Sequence, residues 1–142
     1  MREIKKYKLL DDLNDYNRML NPDGLNVFEL TPYGVSWEYK GDVKKITCEK
    51  KVIPLLLKEE DGIALIKSPF DIESNQAFII SPANEIKWDV SCIINKKIKG
   101  AIFTDVYYVL NDLCFFVSLN GRDYRFIFEP NTGGISDLIP TY

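Results

Sequence analysis

With 142 residues, 46% of them apolar and 13% aromatic, the chain can bury a core without metal or disulfide, which excludes an intrinsically disordered protein. A net charge of −3 and a pI near 5.0 argue against the basic face of a nucleic-acid-binding domain. The absence of histidine excludes Ser-His-Asp and Cys-His catalysis and leaves no side chain whose ordinary pKa lies near 7.

Residues 3–20 carry a helical pattern. Ile4, Tyr7, Leu10, Leu13 and Tyr16 recur at three-residue steps, and Leu9, Met19 and Leu20 widen the stripe. Asn21-Pro22-Asp23-Gly24 stops it. Residues 25–30 read as extended and Thr31-Pro32-Tyr33-Gly34 as a turn. Val35-Ser36-Trp37-Glu38-Tyr39 alternates with period two, as a half-buried strand does, and Lys40-Gly41-Asp42 turns the chain back. Residues 43–52 alternate less cleanly. Pro54 keeps residues 53–57 out of a central strand position. Lys58-Glu59-Glu60-Asp61-Gly62 is an exposed turn before a short buried strand at 63–67. Residues 68–76 form a loop, and 77–80 and 86–92 are strands around Ser81-Pro82-Ala83-Asn84.

From Gly100 onward, short strands are joined by turn dipeptides. Residues 106–110 precede Asn111-Asp112, 113–119 precede Asn120-Gly121, and 123–128 run into Pro130-Asn131-Thr132-Gly133-Gly134, a turn with positive φ at glycine. The expected fold is α+β and mostly β. It is one domain over residues 1–142, with a helix at 3–20 and a β-rich body at 25–142, built as an antiparallel sandwich or curved sheet of roughly eight to ten strands with the helix packed on it.

The candidate functional residues suit binding better than catalysis. Neither a phosphate-cradling glycine loop nor a C-x-x-C pair is present, so no catalytic residue, cofactor or metal is assigned. Cys48, Cys92 and Cys114 read as core thiols of a reducing cytoplasm. With no apolar run near the length of a membrane span and no signal-peptide h-region, the expectation is a soluble, cytoplasmic protein. Asp11, Asp12 and Asp15 concentrate negative charge on the expected helix, and Glu59, Glu60 and Asp61 do so on a turn. Either cluster could meet a basic protein surface, where carboxylates speed association and set specificity. Trp37 and Tyr108 are the aromatic candidates for the same surface; the alternative for Trp37 is the core. Because Tyr107-Tyr108 and Phe115-Phe116 alternate across their strands, one member of each pair faces outward.

The stretch from Leu119 to Ile135, LNGRDYRFIFEPNTGGI, resembles the end of small bacterial β-rich proteins, among them immunity proteins of contact-dependent growth-inhibition and other polymorphic-toxin systems. That resemblance implies a non-enzymatic protein that binds one cognate toxin domain, often a nuclease, in a 1:1 complex, with no direct contact to nucleic acid or membrane. It transfers no site residue. The alternatives are a small-molecule or carbohydrate-binding β domain, which needs an exposed Trp or Tyr, a carboxylate enzyme, and a structural subunit that pairs its strand edges with other copies.

Overall fold

A computed structural model describes residues 3–13 and 16–141 of the chain. They form eleven strands and two short helices, and the strands make three open antiparallel sheets. The first holds β1 (Lys5–Leu10), β2 (Gly34–Tyr39) and β3 (Asp42–Thr47) in that order. The second holds β4 (Val52–Leu56), β5 (Ile63–Lys67), β6 (Gln76–Ile80) and β7 (Ile86–Asp89), again in chain order. β8 (Ile102–Val109), β9 (Asp112–Leu119), β10 (Arg122–Ile127) and β11 (Ile139–Pro140) make the third, ordered β11-β10-β9-β8. Helix α1 (Val27–Leu30) precedes β2, and α2 (Val90–Lys97) follows β7.

The second sheet is the middle layer. Ile63 and Leu65 of β5 join Ile4, Val35 and Trp37 in one core. Ala64 and Ile66 point the other way and join Phe103, Val106, Phe115 and Phe126, with Val90 and Ile94 of α2, in a second core. A strand covered on both faces has no polar side to alternate with, which is why residues 63–66 read as an unbroken apolar run. Pro54 lies on β4, an edge strand of this sheet, where its missing N–H breaks no ladder.

Local chemistry accounts for the hairpins. Lys40 and Gly41 have φ of 51° and 85°, and Asn120 and Gly121 have 52° and 79°, the positive values that match a two-residue loop to the strand twist. Across layers, side-chain amides finish the edges. Asn75 donates from Nδ2 to Phe103 O at 2.9 Å and accepts from Phe103 N at 2.8 Å, so one side chain replaces a missing strand beside β8.

The structure corrects the expected helix at 3–20, because residues 5–10 are β1 and pair with β2. A bulge explains the misleading period. Lys5 lies opposite Glu38 and Lys8 opposite Ser36, so three steps on β1 match two on β2, and Lys6 takes φ 53°. The extra residue puts Ile4 and Tyr7 on the same core at helix-like spacing. Burial pushes the Tyr7 hydroxyl up to about 12.

Two further boundaries differ. Residues 25–30 are not all extended: Asn26 caps α1 by accepting from Glu29 N at 2.8 Å, and Glu29 Oε1 accepts from Asn26 N in return. The strand expected over 86–92 stops at Asp89, whose carboxylate accepts from Cys92 N at 3.0 Å and opens α2. The spacing of Val90, Ile93 and Ile94, with Lys96 and Lys97 in the last turn, was the available helix signal.

Candidate functional site

The acidic turn joining β4 and β5 meets the tip of the β8–β9 hairpin. Tyr108 lies on β8 with its ring half-buried against the second core. Its hydroxyl accepts from Lys58 N at 3.1 Å. The Lys58 ammonium lies 4.5 Å from the centroid of the same ring and donates to Asn111 Oδ1 at 2.9 Å and Leu110 O at 3.4 Å. One lysine thus ties two turns about fifty residues apart in the chain. Glu60 carries the chain's start to the same place, because its carbonyl accepts from Glu3 N at 3.1 Å and Ile4 N at 2.8 Å.

The electrostatics of this end are negative. Burial raises the Tyr108 hydroxyl above its ordinary pKa, the hydrogen bond from Lys58 N opposes the rise, and the charges of Asp61 and Glu59 add to it. Asp112 opens β9 on the far side of the tip and is exposed. Between Val109 and Asp112, which are paired across the hairpin, stand only Leu110 and Asn111. Leu110, expected to end a strand, instead lies in the turn at φ 57° with its side chain 91% exposed.

The structure therefore brings Glu59, Glu60, Asp61 and Tyr108 together and separates them from the other candidates. Asp11 and Asp12 follow β1 at its opposite end, roughly 20 Å away at the rise of a strand. They share no helix face. Asp11 is turned inward: it forms an ion pair with Arg18 and accepts from Leu13 N at 2.9 Å, while Arg18 also donates to Leu30 O. Asp12 is exposed beside a groove of about 580 Å³ that Phe28, Tyr33 and Lys51 also line. Asp15 lies outside the described residues.

Trp37 is 1% exposed and its Nε1 donates to Pro82 O at 2.8 Å, so it offers no surface to a partner. Replacing it with Phe should remove that bond and leave a buried carbonyl unpaired, at a cost of about 1–3 kcal/mol in urea unfolding. An unchanged midpoint would show that the carbonyl finds another donor. Trp88 is also held inward, with Nε1 donating to Pro130 O at 2.6 Å. Tyr107 is the outward member of its pair and stacks on Phe116 at 4.3 Å, while Phe115 faces the core.

Among the described residues no three acidic or thiol groups converge as a metal site. The thiols are not all in the core: Cys114 is buried, Cys48 half-buried and Cys92 exposed. The hydrogen bond to Asp89 is the chief cause that raises the Cys92 thiol above its usual value, which disfavours the nucleophilic thiolate. No helix among the described residues is long and apolar enough to cross a membrane.

Sequence reasoning missed Lys58, Leu110 and Asn111. The place of Leu110 in the turn follows from the pairing of Val109 with Asp112, which the sequence did not show; the bridge from Lys58 is a long-range contact and left no signal either.

No family model matches the chain, and no curated protein matches it. The fold is similar to that of a chain in the solved structure of Tne2 in complex with Tni2, with a TM-score of 0.71 over 98% of this chain and 99% of that chain at 9% identity. At that identity the likeness is one of fold.

Proposed function

We propose that this chain is a bacterial immunity protein that binds a cognate toxin domain in a 1:1 complex and neutralises it by covering its active site or substrate path. A nuclease is the toxin class that fits an acidic inhibitor, since a site shaped for phosphates attracts carboxylates. The observation that carries the reading is the convergence of Glu59, Asp61 and Tyr108 on one braced, negatively charged end. Two further points support it: the resemblance of residues 119–135 to immunity proteins, and a fold shared over nearly the whole length with a chain solved in a two-protein complex. The work of such a protein is inhibition in the bacterial cytoplasm, with no chemistry of its own. The carbohydrate-binding alternative needs an exposed Trp or Tyr; both tryptophans point their indole N–H groups at backbone carbonyls within the fold, which leaves half-exposed Tyr107, stacked on Phe116, as its aromatic candidate.

The test is calorimetry against the C-terminal domain of the protein encoded immediately upstream, with a toxicity-rescue assay beside it. Nanomolar 1:1 binding with rescue is the expected result, and no binding rejects that toxin as the partner. The charge contribution has its own measurement. Reversing Glu59 and Asp61 together to Lys should slow association about tenfold or more at low salt, and the difference should shrink as salt shortens the screening length. Association rates that match the wild type at every ionic strength would remove this end from the interface.

A further inference from the structure

The tip of the β8–β9 hairpin is built unlike the other two-residue hairpins of the fold. Lys40-Gly41 and Asn120-Gly121 place a polar residue and a glycine at their tips. The third places Leu110 there, with a positive φ that leucine seldom adopts and an aliphatic side chain 91% exposed. Neither burial nor turn chemistry within the chain accounts for a leucine at this position. Its surroundings describe what could. The backbone beneath it is held by Lys58, which donates to Leu110 O and Asn111 Oδ1 and lies over the Tyr108 ring. Carboxylates of Glu59, Asp61 and Asp112 flank the tip, and the one ammonium of the two turns is engaged by those bonds. The result is an apolar side chain on a braced turn inside a negative rim. Another exposed apolar pair, Phe28 and Phe70, differs on both counts: its rings pack edge to face at 5.6 Å, and Lys51 lies over Phe28.

We infer that Leu110 is the anchor of the partner interface, entering an apolar pocket on a protein whose pocket rim carries lysine or arginine side chains opposite Glu59, Asp61 and Asp112. The inference rests on the immunity reading and deepens it by naming the contact and the chemistry of its counterpart. Because the turn beneath it is braced, little backbone freedom is lost on binding, and burial of the leucine falls mainly on the dissociation rate while the rim acts on association.

Leu110→Gly separates this role from a structural one. Glycine suits the positive φ and makes a Gly-Asn hairpin turn, and it removes a side chain that buries almost nothing, so the thermal midpoint should hold or rise. Binding to the upstream-encoded toxin domain should weaken about thirtyfold or more, chiefly through faster dissociation. Leu110→Met keeps an apolar knob and should bind close to wild type. If the wild-type chain binds and Leu110→Gly binds equally well, the anchor is overturned and the immunity reading stands. Failure of the wild-type chain to bind rejects that toxin as the partner and overturns the anchor proposed for it.

Discussion

Replacing Phe115 with alanine is expected to lower unfolding stability by about 3–5 kcal/mol, the range for deleting a large aromatic side chain from a packed core. Phe115 is fully buried at the centre of four rings. It stacks on Phe126 at 5.8 Å and meets Phe103 and Phe128 edge to face at 5.7 and 5.9 Å. Those partners sit on two segments, Phe103 on β8 and Phe126 and Phe128 on β10 and its continuation, so none can move into the space without disturbing its own strand. Their contacts with the ring would be lost outright and the void would persist. Against a typical total stability of about 5–15 kcal/mol the loss is roughly a fifth or more. A drop in the urea midpoint with an unchanged slope is the expected signature. The neighbouring Phe116 gives the contrast. It lies on the outer face against half-exposed Tyr107, and its replacement by alanine should cost less than half as much. Equal costs at the two positions would contradict the assignment of inner and outer faces.

Gly133→Ala is expected to cost about 2–5 kcal/mol, from two sources that act together. Gly133 has φ +76°, where an L-residue pays about 1–2 kcal/mol. An added Cβ would also lie 2.8 Å from Trp88 Cζ3 and 2.9 Å from Cη2, and overpacking of this kind costs about 1–3 kcal/mol. The indole has little room to retreat, because its Nε1 is held by Pro130 O in the same loop. Tryptophan emission should therefore change with the stability. Gly134 provides the control: an added Cβ there approaches only Thr132 Oγ1, at 3.3 Å, and its φ is not positive. A small loss at Gly133 with unaltered emission would show that the loop shifts as a unit.

The candidate site was half legible in the sequence. The Glu59-Glu60-Asp61 turn could be read because consecutive charges beside a glycine have no place in a core; the structure makes it a turn, with Glu59 exposed and Glu60 and Asp61 half-buried. Grouping Asp11 with Asp12 failed because it assumed a helix, and Asp11 is occupied by Arg18. Strand parity left open which of Tyr107 and Tyr108 faces outward; Tyr107 does, and what makes half-buried Tyr108 part of a site is Lys58, a residue fifty positions away.

Taken by itself, the chain determined whatever depends on a few adjacent residues. The hairpins at Lys40-Gly41 and Asn120-Gly121, the glycine turn at 133 and the edge position of Pro54 all follow from backbone φ and missing donors, which are properties of neighbours. The strand at 35–39 was legible, but its alternating burial was not borne out, because Ser36 is buried along with Val35 and Trp37. Tertiary structure decided the rest. Spacing of three in Ile4 and Tyr7 suits a helix turn and a bulged strand equally, and pairing with β2 chose the strand. The order of the layers, with β5 covered on both faces, was settled by which apolar surfaces meet at long range. The exposed leucine at the hairpin tip was settled the same way: its local sequence favoured a strand end, and the register between β8 and β9 placed it in the turn.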